Sequence, residues 1–454
     1  MDDIQSSRHR PIVAIVGRPN VGKSTLFNRI VGKRKAVVHD MPGMTRDRNY
    51  HAAGWRDREF LLVDTGGYEL QTGDQIYKLM REQTMMAIEE ADVIIFLLDT
   101  SESNNPTDDQ VMTLLRKTRK PVLVAVNKAD NDAALMTVVS EFSRFGVDRV
   151  YGVSAMHGTG TGDLLDAVYD ALPPEPEDGG PDDSLGIRVA VIGHPNVGKS
   201  TLVNKILGFE RTIASPVAGT TRDSIDTTFE RDGQRYTLID TAGIRRKGKV
   251  DRGAEKLSVM SSLASLERCD IAVIVIDAEQ GLTDQDAHVA GYAVDAGCGC
   301  IIVMNKWDAV EKDGKTADET TQKLRDALGF LRFAPILYAS AKTGQRVDKL
   351  FKMIGEVYEQ YTREIDTRAL NEFLQKTLAY LSPPMRSGKQ LRIKYVTQTG
   401  TRPPTFTFFV NDPGLIHFSY ERYLLNQLRR EFGFEGVPVK LRYKEKGDPK
   451  WSPR

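Results

Sequence analysis

GRPNVGKS at Gly17–Ser24 recurs further along the chain as GHPNVGKS at Gly193–Ser200. Two further strings repeat at the same offset. TRD runs from Thr45 to Asp47 and again from Thr221 to Asp223, and DTGG at Asp64–Gly67 returns as DTAG at Asp240–Gly243. NKAD at Asn127–Asp130 returns as NKWD at Asn305–Asp308, at a slightly longer offset, and SA at Ser154–Ala155 returns at Ser340–Ala341, at one longer still. A period this long is a whole-domain duplication, with small insertions late in the second copy, and not a solenoid repeat.

Apolar runs repeat in the same way. IVAIV, FLLV, VIIFLL, VLVAV and VYGV in the first copy answer to VAVI, TLI, IAVIVI, IIVM and ILYA in the second. Short continuous apolar runs between amphipathic stretches predict buried strands of a mostly parallel sheet, with helices on both faces. The expected fold is α/β, two tandem P-loop G domains followed by a small α+β module. The boundaries expected are 11–172 and 187–362 for the G domains, 173–186 for a linker rich in proline, glycine and carboxylates, and 363–454 for the module.

Gly-x4-Gly-Lys-Ser between a strand and a helix is a phosphate cradle. Its glycines let backbone N–H groups close round the phosphates, its lysine reaches the β and γ oxygens, and its hydroxyl meets Mg²⁺. The first loop supplies Gly17, Asn20, Val21, Gly22, Lys23, Ser24 and Thr25; the second supplies Gly193, Asn196, Val197, Gly198, Lys199, Ser200 and Thr201. Asp64 and Asp240 are placed to hold the Mg²⁺ shell through water, and the N–H groups of Gly67 and Gly243 to sense the γ-phosphate. Thr45 and Thr221 are the expected switch threonines. The metal ligands expected are thus Ser24, Thr45 and Asp64 in one site and Ser200, Thr221 and Asp240 in the other.

Base choice rests on Asn127, Lys128 and Asp130, and on Asn305, Lys306 and Asp308. A carboxylate at Asp130 or Asp308 accepts two hydrogen bonds from the N1–H and N2–H₂ edge of guanine, a donor pair that adenine lacks. The asparagines are expected to tie this loop to the P-loop. The backbone N–H groups of Ala155 and Ala341, with Ser154, Ser340 and Lys342 beside them, are expected at guanine O6. Each copy therefore reads as a site for GTP or GDP.

PNVGKST in both copies, TRD in both switch segments and DTAGIRRKGKV at Asp240–Val250 together resemble the bacterial double-Era-like GTPases, the Der or EngA family, over nearly the whole chain. The resemblance implies a KH-like C-terminal domain and a role in maturing the large (50S) ribosomal subunit through its rRNA. It also implies a K⁺ ion near the phosphates. Many GTPases place glutamine after the DxxG string to orient water, whereas Tyr68 and Ile244 stand there in this chain. Related GTPases with such a substitution hold a monovalent cation partly by a P-loop asparagine, and Asn20 and Asn196 match it. With Lys23, Lys199, Thr45 and Thr221 they form the expected catalytic set.

The 454 residues carry 62 Lys and Arg against 62 Asp and Glu, so any affinity for RNA must be local. From Gln360 onward the count is 17 basic against 9 acidic residues. Basic and aromatic residues interleave in LRIKYV (Leu391–Val396) and KLRYKEK (Lys440–Lys446), as contacts to RNA require. The run Arg245–Lys249 is a second basic candidate. The only Gly-x-x-Gly of the module, Gly433–Gly436, lies between a helix and the last strand, so no ordinary KH clamp is expected. Two other classes compete with this reading. A tRNA-modifying relative would close on a catalytic cysteine, whereas the last cysteine here is Cys300. A membrane-anchored GTPase would need a lipidation motif or anchor. Three cysteines, no apolar leader and no long apolar window predict a protein of the reducing cytoplasm that binds no membrane, and a monomer is expected.

Overall fold

The computed structural model describes residues 10–32, 50–65, 81, 84–85, 87–100, 105–129, 146–147, 149–174, 185–208, 215–216, 226–239, 262–311, 313, 315–383, 385–386 and 389–445. Expectations for Thr45, Gly67, Tyr68, Asp130, Thr221, Asp240, Gly243, Ile244 and Arg245–Lys249, and for most of the linker, lie outside these residues.

The first sheet is built from β1 (Ile12–Val16), β2 (Tyr50–Trp55), β3 (Arg58–Asp64), β4 (Val93–Asp99), β5 (Val122–Asn127) and β6 (Val150–Gly152). Its order is β2-β3-β1-β4-β5-β6, and only the β2–β3 pair is antiparallel. Every residue of β1 and β4 is buried, because helices cover both faces. That is why these strands are continuous apolar runs with no alternation. The helices described here are α1 (Lys23–Gly32), α2 (Pro106–Leu115) and α3 (Thr161–Ala171).

The second sheet repeats this plan. Its strands are β7 (Ile187–Ile192), β8 (Ser215–Pro216), β9 (Thr227–Arg231), β10 (Gln234–Leu238), β11 (Ile271–Asp277), β12 (Gly299–Asn305) and β13 (Ile336–Tyr338). The order β8-β9-β10-β7-β11-β12-β13 matches the first sheet with one short edge strand added. Around it lie α4 (Lys199–Gly208), α5 (Asp284–Asp295), α6 (Thr316–Ala327) and α7 (Val347–Tyr361). The antiparallel strands β2 and β9 were not among the apolar runs. Each lies at or near a sheet edge and is only partly buried, so it carries polar residues that break the run.

The C-terminal module follows as α8 (Thr367–Tyr380), a hairpin of β14 (Met385–Arg386) and β15 (Lys389–Gln390), β16 (Ile393–Thr401), β17 (Pro404–Val410), α9 (Phe418–Phe432) and β18 (Lys440–Glu445). Asp366 caps α8 by accepting from the N–H groups of Arg368 and Ala369. The sheet order is β16-β17-β18, with the last pair parallel. Leu370, Phe373, Leu374, Leu424 and Leu428 of the two helices share a core with Val396, Phe406 and Phe408 of the sheet.

Adjoining units make specific contacts. The guanidinium and backbone N–H of Arg10, just before β1, bind the buried carboxylate of Glu267 at 2.6 to 3.2 Å. Tyr50 meets Tyr292 edge-on, with ring centroids 5.7 Å apart. On the far side, Cys300 N–H donates to Gly436 O (2.7 Å) and Gly436 N–H to Phe333 O (2.8 Å), while Val437 enters the second domain's core.

Candidate functional site

In both G domains the P-loop leaves the end of a fully or nearly fully buried strand, β1 or β7, and turns into α1 or α4. The turn needs left-handed backbone at Asn20 (φ 65°) and Gly22 (φ 96°), and at Asn196 (φ 69°) and Gly198 (φ 96°). Asparagine tolerates that region better than other side chains do. A Cβ on Gly22 or Gly198 would also stand 2.2 or 2.3 Å from the amide nitrogen of Asn127 or Asn305. Glycine is therefore required there by space as well as by conformation.

The lysines converge on the loop's own carbonyls. Lys23 Nζ donates to Gly17 O (2.8 Å) and Arg18 O (2.7 Å), and Lys199 Nζ to Gly193 O and His194 O at the same distances. Each ammonium is thus held at the mouth of its loop, beside the N-terminus of a helix whose dipole favours anions. Ser24 Oγ donates to Asp64 Oδ2 at 2.6 Å. Two oxygen ligands of the expected Mg²⁺ shell therefore meet, and hard oxygens of this kind suit that ion.

The base-reading loops are tied down alike in both copies. Asn127 Nδ2 donates to Val21 O and Asn305 Nδ2 to Val197 O, each at 2.8 Å. The same side chains accept, through Oδ1, from Ala155 N–H and Ala341 N–H at 2.9 Å. The Ala155 and Ala341 N–H groups, expected at guanine O6, are engaged by the asparagine tether in this structure. Ser154 Oγ and Ser340 Oγ accept from His157 N–H and Thr343 N–H, which fixes the turn behind them.

In the second domain these residues enclose a cleft of about 360 Å³. Gly198, Thr201, Asn305, Lys306, Asp308, Ala341 and Lys342 line it, as does Glu279, which the motif reading missed. Asp308 is exposed toward this space, whereas its neighbour Trp307 is buried against Tyr338. Thr25 is exposed on the first turn of α1, the place Thr201 has on α4.

Four other acidic residues organise the sites. Lys128 Nζ lies 2.5 Å from Asp99, and Lys306 Nζ lies 2.6 Å from Asp277. Burial pushes the Asp277 carboxyl up, but the hydrogen bond from Lys306, with others from backbone, outweighs it and holds the group below its usual range. Asp108 grips Arg18 Nε at 2.9 and 3.0 Å, and Asp286 stands 2.7 Å from His194 Nδ1. These pairs clamp the P-loop to the first turn of α2 or α5. The signal that finds them is the repeat itself, since Asp99 and Asp277, like Asp108 and Asp286, stand at the same offset as the two NKxD strings. The apolar runs VIIFLL and IAVIVI stop one residue short of the first pair.

The module's candidate strings separate. Arg392 and Lys394 are exposed. Lys440, in the other string, is exposed at the start of β18, with its ammonium near Gly297 of the second domain and within range of the charges of Arg10, Glu59 and Glu267. It lies on the strand at the opposite edge of the sheet from Lys394.

Comparison with known proteins places these features in a family. Residues 12–128 and 188–306 match the family model described as "50S ribosome-binding GTPase". Residues 364–444 match "KH-domain-like of EngA bacterial GTPase enzymes, C-terminal". The GTPase Der of Syntrophotalea carbinolica is 51% identical over 436 residues, 96% of this chain and 99% of that one. The GTPase Der of Trichlorobacter lovleyi is 49% identical over 435 residues, 96% of each. Among solved structures, a single-site variant of Aquifex aeolicus Era bound to GDP·AlF₄⁻ shows 20% identity, covering 56% of this chain and 87% of that one with a TM-score of 0.30.

Proposed function

Since the chain belongs to the GTPase Der family and is a GTPase, we propose that it hydrolyses GTP at two separate sites and acts in assembly of the large ribosomal subunit. The observation that carries the two-site reading is the duplicated tether, in which Asn127 and Asn305 each join P-loop and base loop through two hydrogen bonds of matching length.

On this reading Lys23 and Lys199 turn from the loop carbonyls to the β and γ phosphates when nucleotide enters. The guanine edge is read by Asp130 and Asp308, whose partners Lys128 and Lys306 are steadied by Asp99 and Asp277. Mg²⁺, held by Ser24, Asp64 and Thr45, or by Ser200, Asp240 and Thr221, would neutralise charge on the phosphate oxygens. Asn20 and Asn196 would hold K⁺, putting positive charge where an arginine finger acts in other GTPases. Hydrolysis should accordingly quicken when K⁺ replaces Na⁺ at constant ionic strength. Equal rates in the two salts would remove K⁺ from the scheme.

The partner is read as the large subunit and its rRNA, approached by a monomer in the cytoplasm. No helix among the described residues is long and apolar enough to cross a membrane. The test is co-sedimentation with ribosomal particles under GDP and under a non-hydrolysable GTP analogue. The reading predicts association with large-subunit particles that changes with the nucleotide, and absence of association under both would overturn it.

A further inference from the structure

Six large apolar side chains stand out in solvent among the described residues, and four of them lie at one end of the C-terminal module. They are Tyr380 (85% exposed) and Leu381 (46%) at the end of α8, Met385 (70%) in the hairpin, and Phe418 (64%) at the start of α9. The two helix ends are joined. Tyr420 Oη donates to Leu381 O (3.0 Å) and Tyr423 Oη to Thr377 O (3.1 Å). Asn411, ahead of α9, donates through Nδ2 to Gln390 O of the hairpin (3.0 Å). The module has a packed core of its own on the far side of these helices, so the four are not remnants of a loose interior.

A gathering of this kind marks an interaction surface, and its charge says with what. Lys376 is one turn before Tyr380 on α8 and Arg422 one turn after Phe418 on α9, both exposed and each on its neighbour's face. Exposed Lys389 stands in the hairpin beside Met385's partner Gln390. From Phe373 to Asn411 the sequence holds six Lys and Arg and no carboxylate. Exposed aromatic rings flanked by cations, that of Phe418 with the His417 ring tilted 4.3 Å from it, suit splayed bases and their phosphates, whereas a protein partner would require the cations to be matched individually.

We propose that Tyr380 and Phe418 are stacking platforms for single-stranded RNA, with Lys376, Lys389 and Arg422 on its phosphates. This rests on the ribosomal reading above and locates the RNA contact at the helix ends of the module, away from the interleaved strands.

The test uses the full chain, a labelled single-stranded oligoribonucleotide of about twelve nucleotides and an RNA duplex of equal length. Affinity for the single strand should exceed that for the duplex. Tyr380→Ala with Phe418→Ala should weaken single-strand binding by about tenfold or more, and Tyr380→Phe with Phe418→Trp should restore it. Lys376→Ala and Lys389→Ala should each reduce the salt dependence by roughly one phosphate contact. GTP hydrolysis in all these variants should match the parent, which reports that they fold. Unchanged RNA affinity in the double alanine variant overturns the proposal. So does a variant that keeps RNA affinity but loses ribosomal particles, because the patch would then meet a protein. A parent chain that binds the single strand through the patch yet pellets with no ribosomal particle supports the patch and contradicts the ribosomal reading alone.

Discussion

At the scale of single residues, the sites depend on side chains whose partners are fixed by backbone. Asp308 is exposed at the cleft because Trp307, between Lys306 and Asp308, is buried, and one residue along a turn is enough to reverse direction. Guanine presents two donors to that carboxylate. Asp308→Asn replaces an acceptor with a donor, so the second site should pass from GTP to XTP, whose O2 accepts. Competition binding at that site checks this, and an unchanged preference for GTP would remove Asp308 from base recognition. The motifs made this residue legible in the sequence. Asp277 and Asp99 belong to no such motif and only the repeat marks them, since each acts through a lysine neighbour in space and closes an apolar run whose hydrophobicity suggested only a buried strand.

Among the elements, the P-loop is the one most dependent on others. Asn305 holds it from β12, Asp286 from α5, and the Val275 carbonyl of β11 lies so near Gly193 that a Cβ there would be 2.3 Å away. Asn305→Ala leaves Val197 O and Ala341 N–H without this partner in a buried setting. Buried unpaired groups of that sort cost about 1–3 kcal/mol each. The second site's affinity for GTP should fall by roughly tenfold or more, with the first site unaffected. Nucleotide titration with each site separately disabled by its lysine would show it, and equal loss at both sites would contradict independent tethers. The buried, mostly parallel strands and the helices on both faces followed from the repeat and the apolar runs. The strands β2 and β9 and the short pair β14–β15 did not, because partly exposed or two-residue strands leave no periodic signal.

Across the whole molecule, the C-terminal module is more closely built into the second G domain than its sequence suggested. Gly436 has φ 75°, pairs with Cys300 and Phe333, and lies where a Cβ would be 2.4 Å from Val357 of α7. Arg429 stacks over Phe333 and donates to Phe434 O and Val437 O, and burial brings its pKa down to about 10. The Gly433–Gly436 string thus serves as a clasp between units. A chain cut near Tyr361 would uncover Val357 and remove Val437 from the second core, so such a truncation reports on stability as well as on RNA binding. Gly436→Ala should destabilise the second domain and module together by about 1–3 kcal/mol, visible as a lower melting temperature. A melting curve unchanged from the parent would mean that the clasp yields without cost. None of this was visible in composition, since a glycine's spatial neighbours are set by the docking of two units.

The claim on which the rest depends is that each G domain is a complete site. Calorimetric titration of the full chain with a non-hydrolysable GTP analogue and Mg²⁺ measures it directly. Two sites per chain are predicted, falling to one in either Lys23→Ala or Lys199→Ala and to none in the double variant. One site in the parent chain, or a count that neither substitution lowers, would contradict the account.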